Sequence, residues 1–184
     1  MKSSRIVVAL AMMMCLAAFS LAVEGAEYKG PRDVVASADG SMLYVVEFDA
    51  SAVDFLDLAS KEVKATVPMP QEPNSACLSP DGKTLYVTCG VGEGCVAVVD
   101  VASAKVTETI QVGHTPVGVC VTPDGAKLYV CNRFNNDVSL VDLASKKEEK
   151  RIACLREPFG CDITPDGKTV FVANHLPVDP SDSY

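Results

Sequence analysis

The chain has 184 residues and a formal net charge of −8 at pH 7. An acidic chain without a basic stripe lacks the surface that phosphate binding needs, so we expect no nucleic-acid partner. Its 48% hydrophobic residues are ample for a packed core, which excludes an intrinsically disordered protein.

The first 22 residues are predicted to be a secretory signal peptide. Lys2 and Arg5 precede an apolar run from Ile6 to Leu21, and small residues stand at the cleavage position. The run is shorter than the roughly twenty residues that a membrane span needs, although a retained anchor is the alternative. We therefore expect a periplasmic or secreted protein with no membrane span in the mature chain. Residues 23–30 are a short lead-in to the first repeat.

Four copies of one turn motif divide the rest of the chain. Each has Ser or Thr, then Pro or Ala, then Asp-Gly, and an apolar segment with an aromatic residue follows at once. The Gly residues of successive copies stand 42, 43 and 42 residues apart. Such a turn closes a hairpin, because Gly accepts positive φ without a steric clash. The copies are Ser37–Gly40, Ser79–Gly82, Thr122–Gly125 and Thr164–Gly167.

Each unit has four short apolar segments separated by turn residues, which predicts a four-stranded antiparallel sheet. The second segment is apolar on both faces, so we expect it to be covered on both sides. The fourth segment is the most polar and suits an exposed outer edge. The predicted units span residues 31–72, 73–115, 116–157 and, incompletely, 158–184.

Four-stranded sheets repeated about every 42 residues and stacked face to face predict a β-propeller. The expected fold class is therefore all-β, with about three and a half blades and an incomplete ring. A closed ring usually takes roughly six to eight blades. We interpret the chain as the N-terminal part of a longer exported protein, with missing blades or a C-terminal segment as its partner. A complete chain that closes by oligomerising is the alternative.

The repeated segments resemble a known family of repeats. Leu128-Tyr129-Val130-Cys131-Asn132, with Thr-Pro-Asp-Gly upstream and Leu140-Val141-Asp142 downstream, is similar to the YVTN repeats of bacterial and archaeal propellers. The resemblance extends from Pro31 to Asn174. It implies a propeller fold, whereas the function stays open because this family includes binding proteins, surface-layer proteins and enzyme-associated domains.

The 43-residue spacing locates an insertion between Cys89 and Cys95. These two cysteines bracket a predicted glycine-rich loop between antiparallel strands, which makes a Cys89–Cys95 disulfide one prediction. Two unpaired thiols packed as small hydrophobic groups are the alternative. Loss of Cys15 with the signal peptide would leave seven cysteines, so at least one is free or pairs between molecules. Cys77, Cys120 and Cys131 are interpreted as buried, inert thiols.

No catalytic, metal-binding or cofactor-binding residue is predicted in this segment. The sequence has neither the doubled Cys-x-x-Cys spacing of a zinc site nor a Cys-x-x-Cys-His haem attachment motif. His114 stands where one unit passes to the next, so we expect it to make a structural hydrogen bond. Asn174 and His175 lie where the repeat pattern is interrupted, in a loop that should reach one mouth of the ring. They are the predicted ligand contacts.

Three functions remain open at this stage. The first is an exported, non-catalytic scaffold that binds a protein or small molecule through its blade-connecting loops. The second follows from the resemblance: His175-Leu176-Pro177 and the acidic segment after it look like longer secreted proteins in which such repeats precede c-type cytochrome or di-haem peroxidase-like segments. Haem c would then be bound downstream. The third is a propeller lactonase, although no acid–base constellation is visible.

Overall fold

The computed structural model describes residues 28–176. The predicted signal peptide, most of the lead-in and residues 177–184 lie outside this range. All elements of the described part are β-strands, which confirms the all-β prediction. No helix in residues 28–176 is long and apolar enough to cross a membrane. The strands are β1 (Pro31–Ala36), β2 (Met42–Glu47), β3 (Ala52–Asp57), β4 (Glu62–Pro68), β5 (Pro73–Leu78), β6 (Thr84–Cys89), β7 (Glu93–Asp100), β8 (Lys105–His114), β9 (Pro116–Val121), β10 (Lys127–Asn132), β11 (Asp137–Asp142), β12 (Lys147–Ala153), β13 (Pro158–Ile163) and β14 (Val170–Asn174).

The strands form sheets in simple sequence order. β1–β4, β5–β8 and β9–β12 each make a four-stranded antiparallel sheet, here called blades 1, 2 and 3. β13 and β14 pair with each other and begin blade 4. The first strands of successive blades lie side by side: β1 packs next to β5, β5 next to β9, and β9 next to β13. This arrangement is a partial β-propeller with an unclosed ring, as predicted.

The repeated Asp-Gly motif is the turn between the first two strands of each blade. In blade 3, the Thr122 hydroxyl donates a hydrogen bond to Asp124 Oδ1 at 2.5 Å, and Ala126 N donates to the same oxygen at 3.0 Å. Gly125 has a φ of 70°, which a residue with a Cβ rarely adopts. The motif is therefore part of the scaffold, since its acid and hydroxyl are used within the turn.

Hydrophobic side chains between neighbouring blades form the core. Tyr44 and Leu85 belong to a cluster between blades 1 and 2, and Tyr86 and Leu128 to a cluster between blades 2 and 3. The second strands β6 and β10 supply residues to both faces of their sheets, as expected, whereas β2 packs into the core with one face.

Blade 2 accommodates its extra residue differently from the sequence prediction. The predicted loop of residues 89–95 is shorter, because β6 ends at Cys89 and β7 already begins at Glu93. The pairing of β7 with β8 shifts between Glu93 and Cys95, and β8 runs as far as His114. Glycine at position 94 permits this path, since a Cβ there would lie 2.2 Å from Pro116 Cδ.

Candidate functional site

The loops at one end of the blades surround a cavity of about 690 Å³. We call this end the mouth; it consists of the first residues of β1, β5, β9 and β13 and the loops that follow β2, β6, β8, β10 and β12. The cavity wall includes Arg32, Asn74, Arg133, Phe134 and Phe159. These residues come from all four blades, so the cavity is a product of blade packing.

Arg32 ties blade 1 to blade 2 at the mouth. Its guanidinium carbon lies 3.5 Å from the centre of the Phe48 ring, a cation–π contact within the blade. Arg32 Nη1 donates a hydrogen bond to Asn74 Oδ1 at 2.5 Å. The Asn74 amide in turn donates to the carbonyl oxygens of Gly90 and Pro116, each at 3.0 Å. One buried amide therefore connects blades 1, 2 and 3, which holds this part of the wall rigid.

A second network joins blades 3 and 4. Arg133 donates from Nε and Nη2 to Glu157 Oε2 at 2.9 and 2.7 Å. His175 Nδ1 lies 3.4 Å from the same oxygen and 3.4 Å from Arg133 Nη2, and its backbone N donates to the Glu157 carbonyl at 2.8 Å. The Arg133 hydrogen bond lowers the pKa of Glu157, and His175 lowers it further. The Glu157 carboxylate is therefore kept ionised beside the Arg133 guanidinium and the His175 ring.

Exposed aromatic rings stand beside these charges. Phe134 and Phe159 are 52% and 54% exposed, although both line the cavity. The His114 ring lies 5.7 Å from Phe134, and the His175 ring lies 5.8 Å from Phe159, measured between ring centres. Large exposed aromatic side chains next to arginines are typical of binding surfaces. Position in the repeat gave no reason to select either phenylalanine, since both follow ordinary strand and turn patterns.

The two predicted ligand contacts have different surroundings. His175 lies at the mouth with its side chain 56% exposed, within the Glu157 network. Asn174 ends β14, and its Oδ1 is buried without a hydrogen-bond partner among residues 28–176. The equivalent residue of blade 3, Asn132, is fully buried; it accepts from Gly113 N at 3.0 Å and donates to Ser139 Oγ at 2.7 Å. That position is structural in blade 3, and ligand contact by Asn174 stays a prediction.

His114 makes the structural contacts expected of it. Its Nδ1 is 2.9 Å from the hydroxyl oxygen of Thr115, and its backbone N donates to Asn135 Oδ1 at 2.6 Å. The backbone bond to Asn135 joins the end of blade 2 to the loop after β10, whereas the ring contact is with the next residue.

The cysteine pair of the prediction lies in adjacent strands. Cys89 is directly opposite Cys95 in the β6–β7 register, and both side chains are buried. Their thiols are in contact, which raises the pKa of Cys89 and lowers that of Cys95. The seven cysteines of residues 28–176 are free thiols in this structure, and the disulfide stays a prediction.

Four further cysteines gather between blades 3 and 4: Cys120, Cys131, Cys154 and Cys161. The sequence placed Cys120 and Cys131 on neighbouring strands and indicated inert thiols there, but it did not indicate that Cys154 and Cys161 join them, because these two stand on other strands. The alternation of side chains along β9 and β10 was the one pattern that could have shown Cys120 and Cys131 on the same face of the sheet. Within the described range, no group of three or more His, Cys, Asp or Glu residues is arranged to hold a metal ion.

Comparison with known proteins agrees with this architecture. A family model described as YNCE-like beta-propeller matches residues 25–127. Antigen Lp49 of Leptospira interrogans is 38% identical over 58 residues, which are 32% of this chain and 13% of the antigen. A solved structure of Kuenenia stuttgartiensis hydrazine synthase has a TM-score of 0.74 at 28% identity, covering 83% of this chain and 44% of that one.

The chain thus spans less than half the length of either of these two proteins. The family model covers more than half of the chain, from before β1 to the start of β10. Its match includes two whole blades and the first strand of a third, which agrees with the sheet order and the unclosed ring. The chain belongs to the YNCE-like beta-propeller family.

Proposed function

We propose that the chain is part of an exported propeller of the YVTN-repeat type, and that its mouth is the surface of a non-catalytic binding or assembly scaffold. The observation that carries this proposal is the cavity of about 690 Å³, whose wall combines arginines, exposed phenylalanines and bonds between blades. A surface of this kind suits recognition of another molecule.

The wall of the cavity is preorganised for binding. Asn74 links three blades, and the Arg133–Glu157 ion pair links blade 3 to the loop before blade 4. Groups already held in place lose little conformational freedom when a partner arrives, so less of the interaction energy is lost on binding. The mouth can therefore present its side chains without a large rearrangement.

The chemistry of the mouth favours a protein segment with acidic and apolar side chains. Arginine pairs well with carboxylates, and aromatic rings give large contact areas; both residue types are enriched where binding energy concentrates. Val91 and Leu155 are exposed on loops at the same end and extend the apolar part of this surface.

Export is supported by two observations. The first 22 residues have the charge and apolar pattern of a secretory signal. The similar Leptospira protein is named an antigen, which suggests a surface or exported protein. A periplasmic or secreted location follows for this chain as part of the proposal.

Photo-crosslinking in the whole protein tests the scaffold function. A photoreactive phenylalanine analogue replaces Phe134 at the mouth or, as a control, the exposed Ala144 in the turn after β11. After irradiation in the source cells, we expect one discrete protein adduct from position 134 and none from position 144. Equal labelling at both positions, or no adduct at position 134, would contradict the proposal.

A second candidate function is supported by the similarity to hydrazine synthase, an enzyme by name. The propeller would then be the non-reacting part of an oxidoreductase, and a c-type haem would be attached outside these 184 residues, which contain no Cys-x-x-Cys-His motif. The absorption spectrum of the whole protein, purified from its source and reduced with dithionite, distinguishes the two. A c-type haem spectrum supports this second function, and its absence from the intact chain removes it.

A further inference from the structure

The interface between blades 3 and 4 contains a cluster of thiols, defined here as Cys120, Cys131, Cys154 and Cys161. Cys131 is buried and packs against Cys154 and Cys161. Cys120 lies on β9, the first strand of blade 3, and is also buried. Cys161 lies on β13, the first strand of blade 4, and lines the cavity of the mouth. Two adjacent blades therefore bring cysteines to the same interface.

The backbones of β9 and β13 approach each other closely at this point. A Cβ added to Gly118 would lie only 2.7 Å from Gly160 Cα, so the absence of a side chain at Gly118 permits the approach. Cys161 directly follows Gly160 in β13, and Cys120 is two residues after Gly118 in β9. Cys161 Sγ lies 3.5 Å from the carbonyl oxygen of Tyr129, and Tyr129 is opposite Cys120 in the β9–β10 register. The Cys161 thiol is thus placed beside Cys120.

The thiols themselves are in contact. The Cys161 thiol contacts those of Cys120 and Cys131. Contact with Cys161 lowers the pKa of Cys120, which favours the thiolate needed for disulfide exchange. The contact with Cys120 joins β9 to β13, whose backbones approach closely at Gly118.

Strand geometry excludes two other pairings. Cys131 is two residues beyond the position opposite Cys120, and such diagonal residues lie roughly 7–8 Å apart. Cys154 follows β12, two strands away from Cys131, which corresponds to about 9–10 Å between backbones. Both separations exceed the range of roughly 4.4–6.8 Å that a disulfide spans between Cα atoms.

We propose that Cys120 and Cys161 form a disulfide that joins blade 3 covalently to blade 4. The two thiols give up two protons and two electrons to an external disulfide, either a small molecule or a protein, as the new S–S bond forms. The S–S bond of that acceptor breaks and yields two thiols, which balances the exchange. The acceptor reaches Cys161 through the cavity. This inference does not depend on what the mouth binds.

Peptide mapping of the 184-residue chain tests the pairing. The native chain is oxidised with glutathione disulfide, its remaining thiols are blocked with N-ethylmaleimide, and the monomer fraction is digested with trypsin without reduction. Trypsin places Cys120, Cys131 and Cys161 in three different peptides, Val106–Lys127, Leu128–Arg133 and Glu157–Lys168. We expect a disulfide-linked pair of the first and third peptides that disappears on reduction. A link between the second and third peptides, or maleimide on both Cys120 and Cys161, overturns the proposal.

Matched serine variants separate the disulfide from a change in packing. Cys131→Ser should retain the linked peptides, whereas Cys161→Ser should lose them. Oxidation should raise the melting temperature of the original chain and of Cys131→Ser by about 5 °C or more, because a crosslink constrains the unfolded chain. A smaller rise is expected for Cys161→Ser, in which the Cys89–Cys95 pair can still form but the Cys120–Cys161 pair cannot. If Cys161→Ser does not fold, the original chain and Cys131→Ser still test the proposal. An equal melting temperature before and after oxidation in both of these proteins would contradict the Cys120–Cys161 disulfide.

Discussion

Cys89 faces Cys95 across β6 and β7 at the register position that Asn132 and Asp137 occupy in blade 3. In blade 3 this position is a polar bond, in which Asn132 Nδ2 donates to Asp137 Oδ1 at 2.7 Å. Blade 2 has two thiols in contact instead. The same cross-strand connection near the mouth is thus made by different chemistry in neighbouring blades.

The first prediction is that Cys89 and Cys95 form a disulfide under oxidising conditions. Directly opposed residues of antiparallel strands have Cα atoms about 4.5–5.5 Å apart, which lies within disulfide range. Both cysteines fall in the tryptic peptide Thr84–Lys105. After alkylation without reduction, mass spectrometry should show this peptide unlabelled and two hydrogens lighter than the dithiol. Label on both positions would end the prediction.

The second prediction concerns the close approach of β9 and β13. Gly118→Ala should destabilise the fold by about 1–3 kcal/mol, because backbone atoms of Phe159 and Gly160 lie 2.7 Å from the added Cβ. Gly160→Ala is the matched control, since its Cβ would meet nothing within 4 Å. Urea unfolding measures both. Equal stabilities of the two variants would show that β9 and β13 do not pack as described.

The third prediction compares two equivalent asparagines. Asn132→Ala should cost about 2–3 kcal/mol, since it leaves the buried Gly113 N and Ser139 hydroxyl without their partner. Asn174→Ala should cost less than about 1 kcal/mol, because its Oδ1 has no partner among the described residues. Thermal unfolding of both variants checks the difference. A larger loss for Asn174→Ala would reverse this assignment of roles.

The fourth prediction is a loss of stability in acid from the turn aspartates. Hydrogen bonds from Ser37 and Ser41 lower the pKa of Asp39 from 3.8 to about 2. Because the folded-state pKa is the lower one, the ionised carboxylate stabilises the fold above the unfolded value and stops doing so as the pH falls through about 2. Hydrogen bonds lower the pKa in the same way at the equivalent turn acids Asp81, Asp124 and Asp166. Hydrogen bonds from a following serine also lower the pKa of the acids that end the third strands, Asp57, Asp100 and Asp142.

Melting temperatures should therefore fall steadily between about pH 4 and pH 2. Asp39→Asn keeps a hydrogen-bond acceptor in the turn but cannot titrate. It should be less stable than the original chain near pH 5, and the difference should shrink towards pH 2. A difference that is independent of pH would show that the Asp39 charge contributes nothing to stability.

Local patterns predicted most of the fold correctly. The turn at Thr122–Gly125 and its copies depend on residue types within a few positions, so each hairpin follows from its own segment. The path of blade 2 was predicted wrongly around Gly94. Glycine in a sequence indicates a loop, but here it allows β7 to pass beside Pro116, which comes from another strand.

The candidate site was predicted only in part. His175 was selected because it departs from the repeat, and it does lie at the mouth beside Glu157. Arg32 and Phe159 were not selected, because each stands at the second position of a first strand and looks ordinary there. They belong to the site because the packing of the blades places both of them in the cavity wall.

The sequence by itself determined the repeat, the four-stranded sheet and the alternation of side chains, because these depend on periodicity and turn chemistry along a single segment. Only the tertiary structure decided that Cys120 meets Cys161. These two cysteines are 41 positions apart in the sequence, and they come together because Gly118 lets the first strands of adjacent blades approach. Contacts between blades depend on packing, which no single repeat contains.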